Sequence, residues 1–411
     1  MNKPFYIDLI NGLRIDYETL IIDLNQTKSF SKYCLERDYY SIFKNLLVSL
    51  LIDEPIYLFD PDTSTDEISL ITSEKDKIEN SSMEVSINRI PDIITLRNFI
   101  EKVQKWRLFL CTSGTTGNPK MISHDYKTIT RIVKISAKHS DSIWGFAYNP
   151  THIAGVQIFF QAILNFNSIV RLFGLQKELI IKSIIEEKIT HISATPTFYR
   201  LLLPINEKIN HVKRITSGGE KLDLQTTSKL KEIFTEATFR NVYASTEAGS
   251  VFTSENEYFT IDSDTIKLVK ILGNELFLRS ELIGETNTSL LNDDWYATGD
   301  LVEIISNDPI KFRFISRRSE IINVGGYNVN PHEVEEAIRS IKNIDKVIVY
   351  SRKNSVTDNI VCADIVCKDI DLTVPVINSL LRAKLPEYKI PRMINFVDNI
   401  SLTRTGKQAR K

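Results

Sequence analysis

Short apolar runs rich in Ile and Val alternate along most of this chain with longer segments whose apolar residues recur every three or four positions. Runs of four to six such residues fit strands buried on both faces, and the longer segments have the period of amphipathic helices. Strand then helix, repeated, dictates an α/β architecture around a mostly parallel sheet. The expected strands are Ile56–Phe59, Leu108–Cys111, Ile143–Tyr148, Ser168–Leu172, Ile192–Ala194, Arg214–Ser217 and Phe239–Tyr243. Helices are expected at Ala154–Asn165, Lys177–Glu187 and Leu222–Phe234, and the polar stretch Asp60–Asn88 reads mostly as loop.

After Asp300 the rhythm changes. Two antiparallel-looking strands, Leu301–Ile305 and Pro309–Ile315, lead into the charged Arg317-Arg318-Ser319-Glu320. A smaller pattern follows, with helices at Pro331–Ile341 and Val374–Lys384 and strands at Lys346–Ser351 and Ile360–Cys367. The break predicts a large N-terminal α/β domain over 1–315 and a small C-terminal α+β domain over 316–411.

Composition removes several function classes. With 42% hydrophobic and 25% charged residues among 411, the chain is an ordinary folded protein, long enough to need no disulfide or metal staple. Its 51 basic residues balance 52 acidic ones, so no global field attracts nucleic acid or an anionic membrane, and any bound anion needs a local site. The cysteines Cys34, Cys111, Cys362 and Cys367 show no C-x-x-C spacing, which fits a reducing, cytoplasmic compartment. Asp8, Arg14, Asp16 and Glu18 interrupt any signal-peptide core, and Gln157, Gln161 and Asn165 break the most apolar stretch, so no membrane span is expected.

One segment carries most of the chemical information. Thr112-Ser113-Gly114-Thr115-Thr116-Gly117-Asn118-Pro119-Lys120 follows an expected strand. Its glycines allow a tight turn with exposed amides, its hydroxyls supply donors and Lys120 supplies positive charge, the makings of a polyphosphate cradle. Taken alone it also suits a small-residue surface turn, and its spacing fails the G-x-x-x-x-G-K-[ST] pattern of P-loop enzymes.

The segment resembles the phosphate-binding signature of the acyl-adenylate-forming superfamily, which includes acyl-CoA synthetases, peptide-synthetase adenylation domains and luciferases. Four further regions match in the family's order. Ser217-Gly218-Gly219-Glu220 precedes Val242-Tyr243-Ala244-Ser245-Thr246-Glu247, which is similar to Y-G-x-T-E. Trp295-Tyr296-Ala297-Thr298-Gly299-Asp300 resembles [WY]-x-x-T-G-D. Ser316 to Glu320 with Asn323-Val324-Gly325-Gly326-Tyr327 resembles the hinge and glycine loop, and Thr403-Arg404-Thr405-Gly406-Lys407 the terminal lysine motif. The resemblance covers about residues 105 to 411.

It implies a set of roles. Glu247 would hold the Mg²⁺ that bridges ATP phosphates, with Thr246 beside it, since a hard dication takes carboxylate oxygen. Asp300, helped by Arg317, would accept the ribose hydroxyls. Gly218, Gly219 and Tyr243 would line the adenine slot, with Glu220 among the ATP-binding residues, and Ala244, in place of the family's usual Gly, would shorten the acyl pocket. Lys407 would stabilise charge developing at the α-phosphate. His152, in Pro150-Thr151-His152-Ile153-Ala154-Gly155, matches the residue that gates the acyl pocket and equally suits a core or helix-capping histidine. His124, His139, His191, His211 and His332 show no metal-ligand spacing and receive no role.

The implied activity is an acid–thiol ligase using ATP, Mg²⁺ and coenzyme A. A small aryl or short acyl carboxylic acid is activated as acyl-AMP and then passed to a thiol, with a mobile C-terminal domain turning about Ser319. The phosphopantetheine arm of an acyl carrier protein is the alternative acceptor, and a non-catalytic nucleotide-binding homologue the alternative function. Three departures from the family stand out: about 105 residues precede the phosphate loop, Ser319 replaces the usual charged hinge residue, and Leu402 stands where proline is common.

Overall fold

The computed structural model describes residues 3–64, 66–68, 82–113, 119–220, 222–285, 291–367 and 372–410. Its contacts divide the chain into two compact units, Met1–Phe259 with Leu278–Tyr296, and Thr260–Phe277 with Ala297–Lys411. The expected boundary at residue 316 falls inside the second unit, in the strand Ile310–Arg317, which pairs with Trp295–Asn307.

The first unit is built on an eight-stranded sheet. Six strands run parallel in the order Thr238–Ser245, Arg214–Gly218, His191–Ala194, Ile143–Phe146, Ser168–Arg171 and Pro4–Asp8. Gly249–Ser254 and Leu13–Asp16 close the two edges antiparallel. Successive strand residues enter different cores, as the two-residue period of a strand requires. Tyr6, Phe146 and Ile169 belong to one cluster, and Ile7, Ala147 and Val170 to another. The expected strands and helices recur here with ends shifted by one or two residues.

The sheet elements and helices before residue 52 were not anticipated. Pro4–Asp8 is a short strand, and Tyr39–Leu51 is a helix buried nearly all round, against Phe5, Phe146 and Phe159. Local chemistry starts these helices. Asp16, Asp38, Asp92, Asp125 and Asp223 each accept the amide of a Ser or Thr three residues later. Such a cap contributes about 1 kcal/mol.

A smaller sheet of Tyr33–Cys34, Ile56–Leu58, Arg107–Ser113 and Pro119–Asp125 completes the scaffold of this unit. Its last two strands form an antiparallel hairpin.

In the second unit, Ile344–Asn354 pairs antiparallel with Asp358–Cys367, and Met393–Phe396 adds parallel to the latter. Helices Pro331–Arg339 and Val374–Arg382 bury Val334, Ile338, Ile377 and Leu381 in a core with Val347, Val349, Val361 and Ile365. No helix among the described residues is long and apolar enough to cross a membrane.

Gly155 lies inside the helix Ile153–Leu164, where alanine is ordinarily favoured by about 1 kcal/mol. Here a Cβ would meet the carbonyl oxygen of Asn149 at 2.5 Å and the Phe146 ring at 3.1 Å. Backbone cannot yield as a flexible side chain can, so the clash should win. Gly155→Ala is expected to destabilise the protein by about 1–3 kcal/mol, read as a lower urea midpoint; an unchanged or higher midpoint would refute the packing argument.

Candidate active site

Open parallel sheets present ligands at the carboxyl ends of their strands. Two of the recognised motifs meet at such ends. Gly218 closes the strand Arg214–Gly218 in register with Val242 of Thr238–Ser245, so the glycine turn lies beside Tyr243 and Ala244. A Cβ at Gly218 would come within 3.1 Å of the Val242 carbonyl, and Gly219 has φ +83, so both positions demand glycine. Glu220 turns inward to a clamp. One carboxylate oxygen accepts from the Thr197 amide at 3.1 Å, the Thr197 hydroxyl at 2.7 Å and Arg200 at 3.1 Å. This ties the turn to the helix Pro196–Leu202 that follows the neighbouring strand.

The Thr246–Glu247 segment is gripped through its backbone. His124 Nε2 lies 2.8 Å from the Thr246 carbonyl, Gly284 donates to the Glu247 carbonyl at 2.7 Å, and Arg131 donates to the Ala248 carbonyl at 2.7 Å. Gly249, at φ +62, leaves room for Gln157, which accepts from Ser250 at 2.9 Å. Among the described residues the Glu247 carboxylate has no hydrogen-bond or ion-pair partner, although three contacts fix the chain around it. A half-buried carboxylate on a fixed backbone suits a hard dication that also takes phosphate oxygens. Sequence spacing gave His124 no role, and only the fold brings it to Thr246, 122 residues away.

Thr112 and Ser113 continue the strand Arg107–Ser113, opposite Lys120 and Pro119, so the cradle segment joins the two strands of a hairpin. Gly114, Thr115, Thr116, Gly117 and Asn118 lie outside the described residues. Cys111 is half-buried within this strand, opposite Met121, and so does not end it as the sequence suggested. His152 occupies the position before the helix Ile153–Leu164 but makes no side-chain cap; its Nε2 lies 4.0 Å from Asp60. Asp60 in turn accepts from Asn149 at 2.5 Å.

The second unit holds the remaining motif residues. Asp300 is 6% exposed and accepts from Arg317 Nε at 3.1 Å, its direct partner across the antiparallel pair. Gly299, at φ +74, donates its amide at 2.9 Å to the buried Glu275, whose other oxygen takes Arg318 at 2.5 Å. Glu275 went unnoticed because nothing in Asn274-Glu275-Leu276 distinguishes it from a surface residue. Gly325 and Gly326, at φ +57 and +90, form the turn between Ile322–Val324 and Tyr327–Val329. Ser319 sits in a single 3₁₀ turn, Arg318–Glu320. Lys407 lies on a tight C-terminal hairpin, with Thr403 donating to its carbonyl at 2.7 Å and Gly406 at φ +74. Leu402 bridges to Gln408 in this hairpin, a place it fills without proline.

The His124 arrangement has a pH signature. Its Nε2–H donates to Thr246, while buried Nδ1 has no partner among the described residues. Burial lowers its pKa below the ordinary 6.5, against weaker raising by Thr246. The unfolded chain therefore binds the proton more readily, and the His124 contribution, present above pH 6.5, is lost as pH falls toward the folded value. His124→Phe should cost about 1–3 kcal/mol at pH 8 by orphaning the Thr246 carbonyl, and should flatten the fall in urea midpoint between pH 7 and 5. An identical pH slope in wild type and variant would contradict this.

The chain is similar in sequence and fold to proteins of known kind. Residues 60–273 match the family model of the AMP-binding enzyme, and residues 333–407 match that of the AMP-binding enzyme C-terminal domain. Gramicidin S synthase 2 of Brevibacillus brevis is 26% identical over 350 residues, covering 73% of this chain, which spans only 8% of that protein. The 2-succinylbenzoate–CoA ligase of Listeria innocua is 23% identical over 327 residues, 73% of this chain and 68% of the ligase. The o-succinylbenzoate CoA synthetase of Bacillus subtilis, solved with its acyl-adenylate intermediate, superposes with a TM-score of 0.73 at 18% identity, over 99% of this chain and 94% of that one. It shares the fold of a large α/β domain with a parallel sheet and a smaller C-terminal domain. The chain belongs to the AMP-binding enzyme family, the acyl-adenylate-forming group that its motifs resemble.

Proposed function

We propose that this chain is an AMP-forming acid–thiol ligase. A carboxylate oxygen attacks the α-phosphorus of ATP, the bond to the bridging oxygen breaks, and pyrophosphate leaves with the electron pair. A thiol sulfur, having given up its proton, then attacks the acyl carbon, and AMP departs. Two substitutions at good leaving groups replace one at oxide. The observation that carries the reading is Glu247, fixed by its backbone while its carboxylate has no described partner. Mg²⁺ held there would neutralise phosphate charge and fix the leaving pyrophosphate.

In this reading Asp300, steadied by Arg317 at 3.1 Å, accepts the ribose hydroxyls. Gly218, Gly219 and Tyr243 take the adenine, and Glu220 holds that turn through Thr197 and Arg200. Lys120 and the hairpin from Thr112 serve the phosphates. Lys407 meets the charge gathering at the α-phosphate, His152 gates the acid, and Gly325 with Gly326 borders the path of the thiol. The chain from Ser319 onward turns between the two half-reactions.

Ala244 favours a compact aryl or short acyl acid over a long fatty chain, since an added methyl in a packed site opposes bulk. Coenzyme A is the preferred acceptor, supported by the coenzyme A ligases among the relatives. The peptide synthase relative motivates a carrier-protein thiol as the second reading. ATP–pyrophosphate exchange with benzoates, short acids and palmitate, followed by addition of coenzyme A or of a carrier protein bearing a free phosphopantetheine thiol, tests both. Release of ADP in place of AMP would defeat the proposal.

Lys407→Ala should lower exchange on the order of 100-fold, the effect of losing one transition-state charge contact; wild-type exchange would refute the role. Glu247→Gln should raise the Mg²⁺ concentration needed for half-maximal exchange, because an amide oxygen is a weaker partner for a hard dication. An unchanged Mg²⁺ titration would remove Glu247 from the metal.

A further inference from the structure

Five charged side chains converge near the end of the chain, and no role assigned above uses them. Glu335, on the helix Pro331–Arg339, is only 2% exposed. One of its oxygens accepts from the Val349 amide at 3.0 Å and from Arg410 Nη1 at 2.6 Å. The other accepts from Arg339 at 3.0 Å and faces His332 Nδ1 at 3.4 Å. His332 Nε2 lies 3.0 Å from Glu320, and Arg410 Nε lies 3.9 Å from that same carboxylate. Arg410 also donates to the Val349 carbonyl at 2.5 Å and approaches His332 Nδ1 at 3.2 Å.

Burial would raise the Glu335 carboxyl, but His332, Arg410 and Arg339 outweigh it and hold it at about 2. His332 is likewise pulled down by burial and pushed further up by Glu320 and Glu335, to above its ordinary value. Each acidic member of the cluster has a basic neighbour. Glu335 is the buried centre of the set and the other four members are partly exposed, so losing Arg410 would remove one of its two guanidinium partners and leave Arg339 in place.

Where the cluster sits gives it meaning. Among the described contacts, the C-terminal hairpin is rooted on both of its strands. On one side Ile400 is 5% exposed, and Ala409 donates to the Ser401 carbonyl at 2.9 Å. On the other side Arg410 grips Glu335 and Val349, three residues beyond Lys407. A lysine that must meet one phosphorus needs a fixed base, and the Arg410 contacts hold the returning strand of the hairpin to the domain core.

We propose that Arg410 is a positioning residue for Lys407, clamping the base of the C-terminal hairpin to Glu335 and the Val349 carbonyl. The proposal rests on the reading of Lys407 given above. Loss of the clamp misplaces the lysine without altering any group that touches ATP, acid or thiol.

The experiment compares Arg410→Ala, Arg410→Lys, Glu335→Gln and Lys407→Ala in the full chain. Exchange kinetics, thioester formation from supplied acyl-AMP, and amide hydrogen exchange are measured on each. Arg410→Ala should lower exchange kcat on the order of 100-fold, as expected for a group displaced by about 1 Å, with KM for ATP and acid unchanged. Transfer from supplied acyl-AMP should persist, and faster amide exchange should be confined to Thr403, Gly406 and Ala409. Arg410→Lys, which keeps charge but cannot fork to two acceptors, should fall between, and Glu335→Gln should reproduce the alanine pattern.

Wild-type kcat and hairpin protection in Arg410→Ala, with Lys407→Ala inactive, would overturn the clamp. Loss of both half-reactions with protection lost throughout would also overturn it, making Arg410 a general fold residue. Full exchange activity in Lys407→Ala would instead defeat the lysine reading, and the amide exchange would still report whether Arg410 holds the hairpin.

Discussion

Burial on both faces of the sheet's central strands constrains where the first unit can place chemistry. With Phe146 and Ile169 committed to one core and Val170 to the other, both faces of these central strands are closed to a polar ligand. Only the strand ends are open, and the register of Gly218 with Val242 brings a glycine turn and an acidic motif together there. The backbone grip on Thr246, Glu247 and Ala248 follows from the same economy. Carbonyls leaving a strand end must be satisfied, and a histidine, an arginine and a loop amide satisfy them while leaving the carboxylate uncommitted.

How far the sequence could be read depends on which force decides each element. The strands from Ile143 onward were legible as short segments carrying apolar residues such as Ile169, Val170, Ile192 and Ile215 between longer helical patterns. The helix Leu224–Ile233 was legible to within two residues, and the displaced start is explained by the Asp223 cap. Pro4–Asp8 and Tyr39–Leu51 were not read. The first mixes Tyr and Asp with apolar residues, and in the second the polar stripe is short, Ser41, Lys44 and Asn45, beside the largely apolar Leu46–Leu51.

The candidate site divides in the same way. Glycines and motif carboxylates carry their signal in local spacing, and these were found. His124, Glu275 and Glu335 act on residues far away in the chain, and no local pattern announces a buried ion pair or a histidine 122 residues from its acceptor. His332 looked idle in the sequence because its partners, Glu320 and Arg410, lie 12 and 78 residues away. Residues that hold other residues are the part that a linear reading misses.

The short return of the chain to the first unit, Leu278–Tyr296, bears on how this protein can be cut for study. Gly284 belongs to that return, and it supplies the amide that the Glu247 carbonyl accepts, while the neighbouring Glu285 carbonyl takes the Ser123 amide at 3.1 Å. A fragment ended at Phe259, where the sheet of the first unit is already complete, would look like an intact domain by secondary structure. It would nevertheless expose the back of the acidic motif and the hairpin strand to water. Dissection of the two units therefore calls for a split that keeps Leu278–Tyr296 with the N-terminal piece, or for a permuted chain in which that segment is spliced on by a linker.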